Sequence, residues 1–214
     1  KLMNPKIKVI GVEPAGAACM QESLKEGKII TLDSVNTIAD GTAVKTPGAQ
    51  IFPYIQKNLD EVLTVPDEEI IVAFLDMVEN HKMIVENSGL LTVAALKQLN
   101  VKNKKIVSIL SGGNMDVITM SSVVQQGLIM RDRIFTVSVL LPDKPGELSA
   151  VANVIAKLNG NVIKLEHNQF VSTNRNAAVE LRITLEAFGT THKDEIMKAL
   201  TEGGYRPKIV RTNI

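Results

Sequence analysis

From residue 134 onward the apolar residues change period in a set order that leaves few folds open. An alternating run from Ile134 to Leu141 predicts a strand, and Pro142-Asp143-Lys144-Pro145-Gly146-Glu147 a turn. Leu148, Val151, Val154, Ile155 and Leu158 then share one face of a helix that Gly160-Asn161 closes. Residues 162–170 and 178–185 predict two strands around a polar loop at 172–176. A helix over 192–200, ended by Gly203-Gly204, and a strand over 205–210 complete the pattern. The order βαββαβ is the ferredoxin-like arrangement. It defines a unit over residues 134–214, and the charged stretch 128–133, with Arg131-Asp132-Arg133, predicts a linker before it.

Residues 1–127 follow another rule. Lys8-Val9-Ile10-Gly11-Val12-Glu13 predicts a strand stopped by Pro14, followed by a helix through Ser23 and Leu24 that ends at Gly27. Residues 52–59 predict a helix and residues 61–65 a strand. Pro66-Asp67-Glu68-Glu69 starts another helix, with acids suited to the positive end of its dipole. Ile70, Ile71, Phe74, Leu75 and Val78 form its apolar stripe, and residues 89–99 predict one more helix. Residues 105–110 predict a buried strand that empties into Ser111-Gly112-Gly113-Asn114-Met115-Asp116. Strands alternating with helices imply a parallel, buried sheet. The strands are few, and the first has none before it to pair with, so the sheet reads as incomplete. The start, Lys1-Leu2-Met3-Asn4-Pro5-Lys6, has neither an initiating methionine nor a signal-peptide pattern, and we expect a chain cut from something longer.

Composition excludes several classes of function. Net charge is +1, from 24 basic and 23 acidic residues, which gives no field favouring nucleic acid or a membrane surface. Aromatic content of 3% without tryptophan leaves few stacking platforms for single strands. Cys19 is the only cysteine, which excludes an internal disulfide framework and points to a reducing compartment, the cytoplasm. No apolar run approaches the ~20 residues of a membrane span.

Each candidate motif has a functional and a plain structural reading. Ser111-Gly112-Gly113-Asn114 lies where ligands collect in open α/β sheets, outside the carboxyl end of a strand. It equally suits a tight turn in which Ser or Asn caps the next helix. A phosphate-binding P-loop is the weaker reading, because no lysine follows the glycines. Glu13 at a strand end could ligate a cation or stand solvated. Glu86-Asn87-Ser88-Gly89 could face a ligand or cap a helix. Cys19 reads as a small buried residue, and His81, His167 and His192 lack ligand spacing. Met115, Met120 and Met130 have helical spacing and read as core or interface.

Taken in order, the segments are far more specific than any of them alone. Val9-Ile10-Gly11-Val12-Glu13-Pro14, Thr37-Ile38-Ala39-Asp40-Gly41, Glu86-Asn87-Ser88-Gly89 and Ile109-Leu110-Ser111-Gly112-Gly113-Asn114-Met115-Asp116 resemble threonine ammonia-lyase (threonine dehydratase) and serine racemase. These are pyridoxal-phosphate enzymes of fold type II. The likeness runs over roughly residues 1–125, and the tail from 134 resembles the ACT domain on one branch of threonine dehydratases. It implies an α/β fold. Residues 1–127 would be the C-terminal portion of a fold type II parallel-sheet catalytic domain, and residues 134–214 a ferredoxin-like ACT domain.

By position, the resemblance implies that Ser111 hydrogen-bonds the pyridine nitrogen of pyridoxal phosphate, with Gly112 beside it. Gly41 would bring its backbone near the ring, and Glu86 would lie close to the ring face. Glu13 and the carbonyl of Ala17 match a cation site of the family, for a monovalent or divalent ion. Cys19 stands where some members have aspartate, which weighs against a divalent ion. Glu86-Asn87-Ser88-Gly89 departs from the commoner Glu-Pro-x-Gly form.

Neither the family's Ser-x-Lys-x-Arg-Gly-type segment, whose lysine carries the cofactor, nor its phosphate-cradling glycine loop stands in this sequence. We therefore name no catalytic residue and read the chain as the C-terminal part of an enzyme. The expected reaction is conversion of L-threonine to 2-oxobutanoate and ammonia, with L-serine as second substrate. The expected assembly is a homodimer or homotetramer, with an amino acid or nucleotide as effector of the ACT-like tail. The rivals are a serine racemase or serine dehydratase of the same family, and a non-catalytic ligand-sensing and dimerisation module.

Overall fold

Val65, Ile70, Phe74 and Leu90 are fully withdrawn from water (0% exposed) and form the centre of one of two hydrophobic cores. The computed structural model describes residues 1, 3–169 and 179–213. The chain divides into two units, Lys1–Val124 and Gln125–Ile214.

In the first unit, β1 (Ile10–Pro14) and β2 (Glu61–Val65) pair in parallel, with Ile10 opposite Glu61 and Pro14 opposite Val65. Parallel neighbours need a crossover. Here it contains α1 (Cys19–Glu26), the loop around Gly41, and α2 (Phe52–Asn58). Gly27 closes α1 with φ +68, the left-handed cap that glycine adopts without strain. Pro66 leads into α3 (Asp67–Asp76), which buries Ile70, Ile71, Phe74 and Leu75. The apolar stripe read from sequence is therefore the stripe that packs.

Two expectations change here. The helix expected over 89–99 is broken into a 310 turn (Asn87–Leu90), one short α-helical turn α4 (Leu91–Ala94) and a second 310 turn (Ala95–Gln98). Residues 105–110, expected as a buried strand, join no ladder among the described residues, and Val107 and Ile109 are 89% and 72% exposed. Their β-branched composition predicts a strand, but a strand is realised only when a neighbour supplies the other half of each backbone hydrogen bond. What holds the segment is side-chain bonding. Thr92 Oγ1 donates to the carbonyl of Ile109 (2.9 Å), and Leu110 packs on the core.

Helix α5 (Val117–Met130) begins in the first unit and ends in the second. Asp116 caps it, accepting from the N–H groups of Ile118 (3.1 Å) and Thr119 (3.0 Å). The Thr119 N–H bond leads in holding this carboxyl below the usual aspartate range. Met115 and Met120 pack against the first core. Residues 128–130 finish α5, and Arg133 N–H bonds back to the carbonyl of Leu128 (2.8 Å).

The second unit runs β3 (Ile134–Leu141), α6 (Glu147–Lys157), β4 (Asn161–Asn168), β5 (Val179–Glu186), α7 (Thr190–Glu202) and β6 (Lys208–Val210). Its antiparallel sheet has the order β4-β5-β3-β6, so the predicted βαββαβ succession is the one that forms. Val137, Val139, Leu181, Ile183 and Leu185 on the central strands meet Val151 and Ile155 of α6 and Ile196 and Leu200 of α7. The opposite face pairs Thr136 with Thr184, whose hydroxyls are 2.9 Å apart in register. The polar loop read at 172–176 lies outside the described residues. No helix among the described residues is long and apolar enough to cross a membrane.

Candidate functional site

Three glycines bring the segments singled out in the sequence into contact within the first unit. Gly89 lies under the backbone of residue 111: a Cβ there would stand 1.7 Å from the carbonyl oxygen of Ser111. Gly112 has φ +82, where side chains are strained, and a Cβ on it would fall 2.0 Å from Glu86 Oε1. The backbone repeats the contact, since Glu86 N–H donates to the carbonyl of Gly112 (3.3 Å). A Cβ on Gly41 would meet Ser88 Oγ at 2.9 Å and Glu86 Oε1 at 3.9 Å. Gly41, Glu86, Ser88, Gly112 and the backbone of Ser111 thus form one cluster, with a carboxylate between two exposed stretches of backbone.

The loop carrying Gly41 is held from below. Thr37 Oγ1 donates to Asp67 Oδ1 (2.6 Å), and Ile38 N–H donates to Asp67 Oδ2 (2.9 Å). Asn87 Nδ2 donates to the carbonyl of Ile38 (3.0 Å). Sequence reasoning missed the bonds of Asp67, which it read only as a helix-start acid, and of Asn87, which it read as ligand-facing or capping. Their partners lie 29 and 49 positions away along the chain, beyond any local pattern.

Two buried polar atoms here, Asn87 Oδ1 and Ser88 Oγ, have no hydrogen-bond partner among the described residues. Buried polar atoms are nearly always paired, so an unpaired couple beside bare glycine backbone suits a ligand with polar edges. Pyridoxal phosphate, a flat ring with polar substituents, is such a group, and the residues fit it.

Glu13 and Ala17 stand at the end of β1 and in the turn before α1. Glu13 accepts N–H bonds from Met20 (2.9 Å) and Gln21 (2.8 Å), one on each oxygen, which caps α1 from the neighbouring strand. Cys19 Sγ lies 3.9 Å from Glu13 Oε1, and burial followed by the Glu13 charge pushes its thiol up, which disfavours the thiolate. Among the described residues no three His, Cys, Asp or Glu side chains converge as a metal cluster needs. Both Glu13 oxygens already accept N–H bonds, so a cation there would draw its remaining ligands from backbone carbonyls such as that of Ala17 and from water.

Glu13 carries a testable pH dependence. Burial raises its pKa despite the opposing N–H bonds, so the folded state holds its proton more tightly than the unfolded state does. The associated stability is complete below the ordinary glutamate value and is lost as pH rises from there through the folded value. Glu13→Gln keeps the side chain neutral at every pH. Its melting temperature should gain on wild type as pH rises through that window, and a constant difference would overturn the assignment.

The family described as "Pyridoxal-phosphate dependent enzyme" matches residues 1–112. The chain belongs to that family. Among relatives, L-threonine ammonia-lyase of Thermotoga maritima is 35% identical over 98% of this chain and 53% of its own length. L-threonine ammonia-lyase of Geobacter sulfurreducens is 37% identical over 97% of this chain and 52% of its own. Among solved structures, the processed form of threonine deaminase isoform 2 from Solanum lycopersicum superposes with a TM-score of 0.55. It is 37% identical, and the match covers 58% of this chain and 38% of that one. Maize serine racemase gives 0.52 at 36% identity, over 62% and 42% of the two chains. The chain spans about half the length of the two ammonia-lyases it matches. Members of this family use pyridoxal phosphate.

Proposed function

We propose that the protein to which this chain belongs is a threonine ammonia-lyase, converting L-threonine to 2-oxobutanoate and ammonia, with L-serine as second substrate. The observation that carries the reading is the cluster itself, with Glu86 lying against Gly112 and facing Gly41. Two relatives named for this activity, alike over nearly the whole chain, support the choice of substrate.

Pyridoxal phosphate, when bound, supplies the electron sink that spreads the charge left as the α-proton departs. Ser111 would hold its pyridine nitrogen through a neutral hydroxyl, which favours a protonated ring less than a carboxylate would. That tempers the sink and suits loss of the β-hydroxyl. Gly41 and Gly112 would let backbone approach the ring, and Glu86 would place its carboxylate beside it.

Residues 1–127 would belong to the catalytic domain, with 128–133 joining it to an ACT-like regulatory unit over 134–214. That unit would take an amino-acid or nucleotide effector, within a cytoplasmic homodimer or homotetramer. Given L-threonine and pyridoxal phosphate, the full-length protein should release 2-oxobutanoate and ammonia in equal amounts. Racemisation of L-serine without release of 2-oxobutanoate from threonine would replace this reading with the serine racemase one, which the maize structure makes the nearest rival.

A further inference from the structure

Asn87 is 4% exposed and heads the 310 turn next to Glu86, yet its side chain reaches across to the Gly41 loop. We propose that Asn87 is a positioning residue, whose amide ties that loop to Glu86 and sets the gap between Gly41 and the Glu86 carboxylate. The proposal rests on the reading of Gly41 and Glu86 as neighbours of the cofactor.

The loop hangs from two points. On one side Asp67 takes the hydroxyl of Thr37 and the N–H of Ile38. On the other, Asn87 Nδ2 donates to the carbonyl of Ile38 at 3.0 Å, so a single residue is gripped at both its donor and its acceptor. Rigidity then passes along the chain to Gly41. Ala39 is fully buried, its N–H donates to Thr37 Oγ1 (3.1 Å), and its carbonyl accepts from the N–H and hydroxyl of Thr42 (3.0 and 2.9 Å). Gly41 sits inside that closed turn, against Ser88 and Glu86.

A purely structural asparagine accounts poorly for these facts. Burying an amide whose Oδ1 finds no partner is unfavourable, and an apolar residue would fill the space without that cost. What an apolar residue cannot do is donate to Ile38. Ground held this way matters most where a flat group must fit between backbone and carboxylate, since small misplacements of binding groups cost large factors in rate.

The test uses the full-length protein and the variants Asn87→Ala, Asn87→Asp (similar size, no donor) and Asp67→Asn, which reaches the same loop from its other side. Without cofactor, amide exchange at Ile38–Thr42 should quicken roughly tenfold in each, the factor expected from one lost hydrogen bond. With cofactor, the visible circular dichroism of the bound group should change and kcat for threonine fall about tenfold, with a smaller change in KM. Asp67→Asn keeps the proposal testable if Asn87 variants fail to fold. Unchanged exchange would overturn it, as would fast exchange with unaltered dichroism and kcat. A wild-type protein that takes up no cofactor would instead remove the cofactor reading, and this proposal with it.

Discussion

Gly89→Ala should unfold the site from beneath. The added carbon would stand 1.7 Å from the Ser111 carbonyl oxygen, 2.8 Å from its carbon and 2.9 Å from Val85 Cγ1. The first two are backbone atoms, so no rotamer change relieves the overlap and one of the two segments must move. Overpacking of this kind costs roughly 3 kcal/mol or more. Urea unfolding should show that loss, and the variant should fail to retain pyridoxal phosphate at concentrations that saturate the wild type. Gly89 N–H also donates to the Glu86 carbonyl (2.9 Å), so the displacement reaches Glu86 as well. A Gly89→Ala protein of native stability and full cofactor occupancy would show that residues 86–89 and 111–112 are not in contact as described.

Ser111→Ala should do the reverse, sparing the fold and stopping the chemistry. Ser111 is exposed, and its hydroxyl makes no hydrogen bond among the described residues, so its removal should change stability by less than about 0.5 kcal/mol. If it holds the pyridine nitrogen, turnover of threonine should fall on the order of 100-fold, the usual effect of deleting one well-placed donor. Cofactor should still bind, because Gly41, Glu86 and Gly112 are untouched. Full activity of the variant would sink the role given to Ser111. The pair is informative together, since Gly89→Ala loses cofactor through structure and Ser111→Ala loses rate without it.

The sequence by itself determined the elements whose signals are local. The stripe of α3 appeared as Ile70, Ile71, Phe74 and Leu75, the cap of α1 as Gly27, and the βαββαβ order as successive changes of period. Each is a property of neighbouring residues, because helix and strand periods are set by the backbone between them. The order of the Gly41, Glu86 and Ser111 segments also made the family visible before any contact was known.

Tertiary structure decided the rest. Residues 105–110 have the composition of a buried strand, but pairing belongs to two segments, and they join no ladder among the described residues. Asp67 reads as an acid suited to a helix dipole, and only the fold shows its carboxylate gripping Thr37 and Ile38. Glu13 reads as a strand-end acid, solvated or cation-binding, and only the fold shows its oxygens taking N–H bonds from the start of α1. Asn87 reads as ligand-facing or as a cap, and only the fold shows its amide spanning 49 positions to Ile38. In each case the side chain's chemistry was legible, but its partner was not. A carboxylate or an amide bonds to whatever the fold brings within 3 Å, and that distance is set by packing rather than by position along the chain.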